Sequence, residues 1–306
     1  MAFLVVSPPF NASLSSQAFL GSFEALLFAK FVHFAFVEPL TEQEIRQAVQ
    51  LALAEDVGSG DATTVATVPE DVLAKALMRS REPLVVAGLE FAEAAFKELS
   101  PGVQILMKAR DGEHVSTGNS VMELSGQARA LLTAERVALN FVQRLSGIAT
   151  LTNQFVQALS GTRAQVLDTR KTTPGWRRFE KYAVCCGGGK NHRLGLFDMV
   201  LIKDNHLAAL SHEGPNAIGT AVKRAQARYP ELKIEVEVDT LEQVEQALAA
   251  GAHLILLDNM NPVQLRLAGH VDRQRVRNED HQSSFTVFSR VPSPSMVTRT
   301  TSPPRR

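Results

Sequence analysis

Cysteine is nearly absent from these 306 residues: Cys185 and Cys186, adjacent in the chain, are the only two. Two neighbouring thiols build neither a disulfide framework nor a four-ligand zinc site. No Cys-x-x-Cys spacing exists, so both read as small packing residues rather than nucleophiles. Net charge is missing too, since 32 Lys and Arg balance 32 Asp and Glu. A general binder of nucleic acid or of anionic membranes carries a basic excess, so neither partner is expected. No run of about 18 uninterrupted apolar residues occurs, so no membrane span is expected. What is plentiful is apolar material, 45% of the chain, which is enough for a buried core and argues against wholesale disorder. The length allows one large domain or two modest ones.

The neutral average hides three unlike segments. Residues 1–37 hold eight of the 16 phenylalanines but no Arg, and the first 20 residues have neither Lys nor Arg. Those lacks fit neither a secretory signal nor an Arg-rich transit peptide. The segment reads as a poorly ordered extension, with organelle targeting as the second reading and the cytoplasm as the expected location. At the other end, residues 269–306 carry seven arginines against three carboxylates, a balance of +4. Pro292, Pro294, Pro303 and Pro304 lie among many Ser and Thr, and no strand-helix pair can be drawn there. By composition this is a basic, disordered tail.

The middle, about residues 38–268, reads as an ordered α/β enzyme. Thr41 and Glu44 form a capping box ahead of Ile45, Ala48, Val49 and Ala52, which share a helical face. From Ala74 to Leu124 short apolar runs alternate with Pro101-Gly102, Asp111-Gly112 and Thr117-Gly118, which suggests a small sheet-rich domain. A long helical pattern from Ala128 to about Leu159 follows, with a break expected near Ser146-Gly147. Strand-like runs at Ala164–Leu167, Asp198–Ile202, Lys233–Val238 and His253–Leu257 come next, with helical patterns at Ala217–Arg228 and Leu241–Ala249. Repeated βα units imply a parallel sheet, in a barrel or a doubly wound fold.

In such folds reactive side chains follow the strands, so the polar residues after each apolar run are the candidates. They are Asp168-Thr169-Arg170-Lys171, Lys203-Asp204-Asn205-His206, the alternating Glu235, Glu237 and Asp239, and Asp258-Asn259. Arg170, Lys171 and Lys203 suit a substrate with several phosphates or carboxylates. Glu237 and Asp258 suit a magnesium ion that keeps waters and substrate oxygens. A polyanion with magnesium points to phosphoryl or pyrophosphoryl chemistry. Singly each residue is most simply a surface ion pair; four successive strand ends of this kind favour a site. Gly187-Gly188-Gly189 permits close approach of an anion or makes an ordinary flexible loop. His192-Arg193 supplies an imidazole and a planar fork suited to a carboxylate. Trp176, after Thr173-Pro174-Gly175, reads equally as a core cap or a stacking platform.

The motifs Asp168-Thr169-Arg170-Lys171-Thr172, Lys181-Tyr182-Ala183-Val184, Asn191-His192-Arg193-Leu194-Gly195, Leu201-Ile202-Lys203-Asp204-Asn205-His206, Glu235-Val236-Glu237-Val238 and Leu257-Asp258-Asn259 resemble the quinolinate phosphoribosyltransferase family. Leu51–Asp56, Gly60–Thr64, Glu135–Asn140 and Leu145–Thr150 follow the same pattern, so the resemblance runs from about Leu40 to Leu267. It implies an N-terminal α/β sandwich domain (residues 38–150) and a seven-stranded type of α/β barrel (residues 151–268). It also implies a homodimer or larger homo-oligomer. The implied reaction joins quinolinate to phosphoribosyl pyrophosphate with magnesium, giving nicotinate mononucleotide, pyrophosphate and carbon dioxide for NAD synthesis. Arg136, Arg170, Lys171, His192 and Arg193 are implied to bind quinolinate, with Arg136 reaching the neighbouring subunit's site, and Thr169 is implied to be a further substrate-binding residue. Lys171 and Lys203 are implied to face the phosphoribosyl pyrophosphate, and Glu237 and Asp258 to lie near the ribose and the metal. Lys171, Glu237 and Asp258 are the catalytic candidates.

The resemblance also implies a Ser-Gly-Gly-like turn and a further glycine turn for the ribose 5′-phosphate beyond Asp258-Asn259. Nothing after Gly269 offers either. The barrel is therefore expected to be incomplete at its C-terminal end, with the phosphate pocket lost and activity weak or absent. A nicotinate phosphoribosyltransferase and a non-catalytic remnant that pairs with an intact paralogue are the alternative readings.

Overall fold

The computed structural model describes residues 2–6, 39–162, 164–268 and 286–289. Apart from two short strands, the expected extension and tail lie outside the described residues. The described chain divides into two compact units between Asp198 and Met199.

The first unit opens with strand β1 (Ala2–Val6) and helix α1 (Glu42–Val57). The expected capping box starts α1: Glu44 N donates to Thr41 Oγ1 at 3.2 Å, and Thr41 N donates to Glu44 Oε2 at 2.9 Å. Ile45, Val49 and Leu53, four apart, give α1 its buried face. Helix α2 (Ala62–Thr67) is capped by the Asp61 carboxylate, which accepts from Thr64 N at 2.9 Å. Strands β2 (Leu73–Ser80) and β3 (Leu84–Val85) precede helix α3 (Leu89–Leu99). Strands β4 (Gln104–Met107), β5 (His114–Val115) and β6 (Ser120–Gln127) follow. The sheet order is β1-β2-β6-β4, with β6 antiparallel to both β2 and β4 and β1 parallel to β2. Strands β3 and β5 form a separate antiparallel pair.

Helix α3 is an addition to the sheet-rich segment read from the sequence. Its apolar positions, Leu89, Phe91, Ala92, Ala95 and Phe96, fall on one buried face at helical spacing. That face packs on helix α4 (Ala128–Ala158), where Phe91 and Phe141 stack with ring centroids 4.8 Å apart. Burying each such phenylalanine contributes about 1.5–3 kcal/mol. Gly88 lets α3 begin this close to α4: its φ is +94°, and a Cβ there would lie 2.9 Å from Leu145 Cδ1.

Helix α4 runs unbroken through Ser146-Gly147, which corrects the expected break. Ser146 is buried, and its hydroxyl accepts from Ala87 N at 2.9 Å and donates to Ala87 O at 3.2 Å. Its hydrogen-bonding capacity is thereby spent on a neighbouring strand end rather than on its own helix. The expected domain boundary at residue 150 thus falls inside α4. Helix α5 (Arg177–Cys186) completes the first unit, and Trp176 joins its core, stacking on Phe141 at 5.2 Å.

The second unit repeats strand and helix. Strand β7 (Val200–Ile202) leads to helices α6 (Asp204–Ala209) and α7 (Ala217–Arg228). Strand β8 (Ile234–Val238), helix α8 (Leu241–Ala249) and strand β9 (Leu254–Leu257) follow. Helical residues from 262 to 268 come next, and strand β10 (Thr286–Ser289) lies in the segment for which the sequence suggested no strand. Its Thr, Val and Phe favour a pleated backbone. The order is β10-β9-β8-β7, every pair parallel, and among the described residues this is one open sheet. Central β8 is buried on both faces, as a parallel strand between flanking helices should be. Ile218 and Val222 of α7 and Val244 and Leu248 of α8 pack in one core with Ile234, Val236 and Val238.

Candidate functional site

The expected strand at Ala164–Leu167 is reduced to one parallel bridge, Leu167 to Lys190. Lys190 N donates to Val166 O at 2.8 Å and Asp168 N donates to Lys190 O at 3.1 Å. This short ladder sets Asp168-Thr169-Arg170-Lys171 beside Asn191-His192-Arg193. Four of the expected quinolinate residues (Arg170, Lys171, His192 and Arg193), with Thr169, therefore stand on two adjacent loops of one unit.

A buried carboxylate ties those loops together. Asp168 accepts from Lys181 Nζ at 2.5 Å, from Asn191 Nδ2 at 2.6 Å and from His192 N at 2.8 Å. The Lys181 side chain is 0% exposed and that of Asp168 7%. Lys181 Nζ also donates to His192 O at 3.0 Å. Burial pushes the Lys181 ammonium below its usual range, and Asp168 opposes that shift. Asp168 was a strand-end candidate from the sequence without an assigned role, and Lys181 and Asn191 were not candidates. Each stands inside a motif quoted there; a lysine within an otherwise packed helix was the signal.

Above this network the substrate candidates differ in exposure. Thr169 and Lys171 are exposed, Arg170 and His192 half-buried, and Arg193 is 7% exposed. Lys171 N donates to Thr169 Oγ1 at 3.1 Å, a local turn that shapes the loop. Arg170 Nε is enclosed and finds no acceptor among the described residues. An enclosed guanidinium donor of this kind suits a ligand carboxylate. Arg136 stands exposed on α4.

The triple glycine has a packing role rather than either expected one. Gly187, Gly188 and Gly189 close α5 in a Schellman turn: Gly188 N donates to Cys185 O at 2.9 Å and Gly189 N to Val184 O at 3.0 Å, with Gly188 at φ +87°. A Cβ at Gly187 would collide with the Ala149 carbonyl, and one at Gly189 would lie 2.9 Å from Thr152 Cγ2, so α5 ends directly against α4. Both thiols are raised, first by desolvation and next by a carboxylate, Asp168 for Cys185 and Asp111 for Cys186, the latter reaching about 12. Neither is a thiolate at neutral pH, which speaks against a nucleophile; Cys186 packs against the first unit's core as expected, whereas Cys185 is exposed, which corrects its reading as a packing residue.

In the second unit Lys203 follows β7, Glu237 lies near the end of β8 and Asp258 follows β9. Lys203 Nζ donates to Glu237 Oε2 at 2.8 Å across the β7–β8 pair. Lys203 N donates to His206 Nδ1 at 2.9 Å, which fixes the backbone where β7 becomes α6. Asp258 N donates to Val238 O at 2.9 Å, so Asp258 and Glu237 leave adjacent strand ends. Glu235 is fully buried in β8, while Asp239 is exposed.

Among the described residues no group of three or more His, Cys, Asp and Glu is placed to hold a metal ion alone. Two carboxylates at neighbouring strand ends nevertheless fit magnesium, which binds through one or two carboxylates and takes its remaining ligands from water and phosphate oxygens.

Comparison with known proteins gives the family. Residues 61–146 match the model of the quinolinate phosphoribosyl transferase N-terminal domain, and residues 148–285 that of its C-terminal domain. The chain belongs to the quinolinate phosphoribosyltransferase family. The nicotinate-nucleotide pyrophosphorylase [carboxylating] of Mycobacterium leprae is 45% identical over 235 residues, 76% of this chain and 80% of that protein. The probable counterpart of Bacillus subtilis is 40% identical over 237 residues, 77% of this chain and 80% of its own. The solved nicotinate-nucleotide pyrophosphorylase of Francisella tularensis superposes with a TM-score of 0.75 at 36% identity, covering 85% of this chain and 87% of that one. The α/β class expected from the sequence is thus the family's fold.

Proposed function

We propose that this chain transfers the phosphoribosyl group of phosphoribosyl pyrophosphate to quinolinate and releases carbon dioxide, yielding nicotinate mononucleotide and pyrophosphate for NAD synthesis. One observation carries the choice of a dicarboxylate: the Arg170-Lys171 and His192-Arg193 loops share a single buried anchor, Asp168. Three cationic side chains and an imidazole on two tied loops match two carboxylates better than one. Arg136, exposed on α4, extends to the site of a second copy in a homodimer or larger homo-oligomer.

The pyridine nitrogen forms its bond to the anomeric carbon while the carbon–oxygen bond to pyrophosphate breaks with its electron pair. The carboxylates of Glu237 and Asp258 stabilise the positive charge that develops at the ribose carbon. Lys171 and Lys203 neutralise the departing pyrophosphate, and the ion pair with Glu237 holds Lys203 in position. Magnesium, when bound by Glu237 and Asp258, supplies further neutralisation of the phosphate oxygens. Ribosylation leaves the ring nitrogen cationic. The bond from C2 to its carboxylate then breaks, its electron pair stays on C2 beside that nitrogen, and a proton from water completes the product.

Purified chain supplied with both substrates and magnesium is expected to form nicotinate mononucleotide and carbon dioxide in equal amounts. Turnover with nicotinate in place of quinolinate would favour the nicotinate-specific alternative. A second reading, a slow or inactive member that keeps quinolinate binding, is favoured by the lack of any glycine in residues 270–306, where the family resemblance implies phosphate-binding turns. Quinolinate binding without product distinguishes it. Among the described residues no helix is long and apolar enough to cross a membrane, and we place the enzyme in the cytoplasm.

A further inference from the structure

Arg177 opens helix α5, where a cation opposes the positive end of the helix dipole. Its hydrogen bonds explain the choice. The Nε donates to Thr172 Oγ1 at 3.2 Å, Nη1 to Leu194 O at 3.1 Å and Nη2 to Arg170 O at 3.4 Å. The acceptors at 170 and 172 lie in the loop that carries Arg170 and Lys171. The third belongs to the residue that follows His192-Arg193. One guanidinium thus spans both loops from the side opposite in sequence to Asp168, which fixes their first residues. All three bonds end on neutral oxygens, so the fork orients backbone and leaves the loops' own cations unquenched.

We infer that Arg177 is a positioning residue for quinolinate, setting the spacing between the Arg170-Lys171 and His192-Arg193 loops without touching the substrate. The inference rests on the reading of those loops as the dicarboxylate site. A planar fork with donors in fixed directions reaches three acceptors at once; an ammonium on a flexible stem does not, so Lys is a poor replacement here. Displacing a binding group by about 1 Å costs up to about 10²-fold, so a loosened spacing reads out directly in substrate affinity.

The test is calorimetric titration of quinolinate, and separately of phosphoribosyl pyrophosphate with magnesium, on the unmodified chain and on Arg177→Lys, Arg177→Ala and Thr172→Val. Arg177→Lys keeps the charge, and Thr172→Val removes one acceptor without changing the side-chain volume. Both therefore read the geometry even if Arg177→Ala fails to fold. The quinolinate Kd is expected to rise about tenfold or more in Arg177→Lys and by less in Thr172→Val, as a misplaced binding loop requires. The phosphoribosyl pyrophosphate Kd is expected to rise by much less, because of its proposed ligands only Lys171 stands on a loop that Arg177 holds. A quinolinate Kd unaltered in Arg177→Lys, or a phosphoribosyl pyrophosphate Kd that rises as much as that of quinolinate, overturns the positioning role while the functional reading stands. An unmodified chain that binds no quinolinate overturns the substrate reading and this inference with it.

Discussion

At the scale of single residues, the two loops of the proposed quinolinate site are held by groups other than the proposed substrate contacts. Asp168 accepts three hydrogen bonds, from Lys181, Asn191 and His192, inside the first unit. Removing one partner of a buried ion pair leaves the other charged and unsolvated, which costs about 3–5 kcal/mol. Lys181→Met is therefore expected to lower unfolding free energy by about that amount in chemical denaturation. A value near zero would show that Asp168 is solvated after the change. Glu237→Gln keeps the shape at the end of β8 but removes the charge, so kcat should fall by about 10²-fold or more while quinolinate KM holds. Steady-state kinetics with each substrate varied in turn measures the split. Arg170 and Lys171 were legible because they follow an apolar run, and His192-Arg193 because an imidazole beside a planar fork suits a carboxylate. Lys181, Arg177 and the anchoring role of Asp168 were not, because their value lies in contacts across loops that no local pattern encodes.

Elements carry the pH dependence. Glu44 caps α1 and also receives Arg178 Nε at 2.8 Å, so one carboxylate joins α1 to α5. The Arg178 hydrogen bond is the main cause that holds its carboxyl down at about 2, against 4.5 for an unperturbed glutamate. The folded state binds that proton more weakly than the unfolded one, so its stabilisation is full above about pH 4.5 and is lost as pH falls towards 2. In thermal melts across that window, Glu44→Gln should flatten the decline of Tm; an unchanged slope would refute the link. His253 contributes similarly to the β8–β9 pair, since its Nδ1 accepts from Ile234 N at 3.0 Å and needs a neutral ring. Burial, with the Lys233 charge second, lowers its pKa below the usual 6.5, so its contribution fades as pH drops below that value. Most elements were legible, α7 and α8 to their end residues, because amphipathic spacing and Gly or Thr boundaries are local signals. Helix α3 and the unbroken α4 were not, because short apolar runs between turn signals made Ala74–Leu124 read as sheet and Ser146-Gly147 reads as a break until its packing partners are known. Gly187→Ala, a methyl pressed against the α4 backbone, is expected to cost about 1–3 kcal/mol in the same melts.

At the scale of the whole chain, an even balance of 32 positive and 32 negative side chains coexists with local concentrations of charge. Cations gather on the loops after Leu167 and Asn191, and carboxylates at the ends of β8 and β9. Each is a local cluster within its own unit, not the broad basic face that a polymeric anion needs. Chelating magnesium is expected to stop turnover while leaving quinolinate affinity intact, because Glu237 and Asp258, not the quinolinate loops, are the metal ligands we propose; loss of both on chelation would contradict that proposal. The central claim is the decarboxylating transfer itself. Quinolinate labelled in its 2-carboxylate, mixed with phosphoribosyl pyrophosphate, magnesium and the purified chain, reports it in one assay. Labelled carbon dioxide released in step with nicotinate mononucleotide is the expected result. Nicotinate mononucleotide made from nicotinate with no release from quinolinate, or no product from either acid, would contradict it.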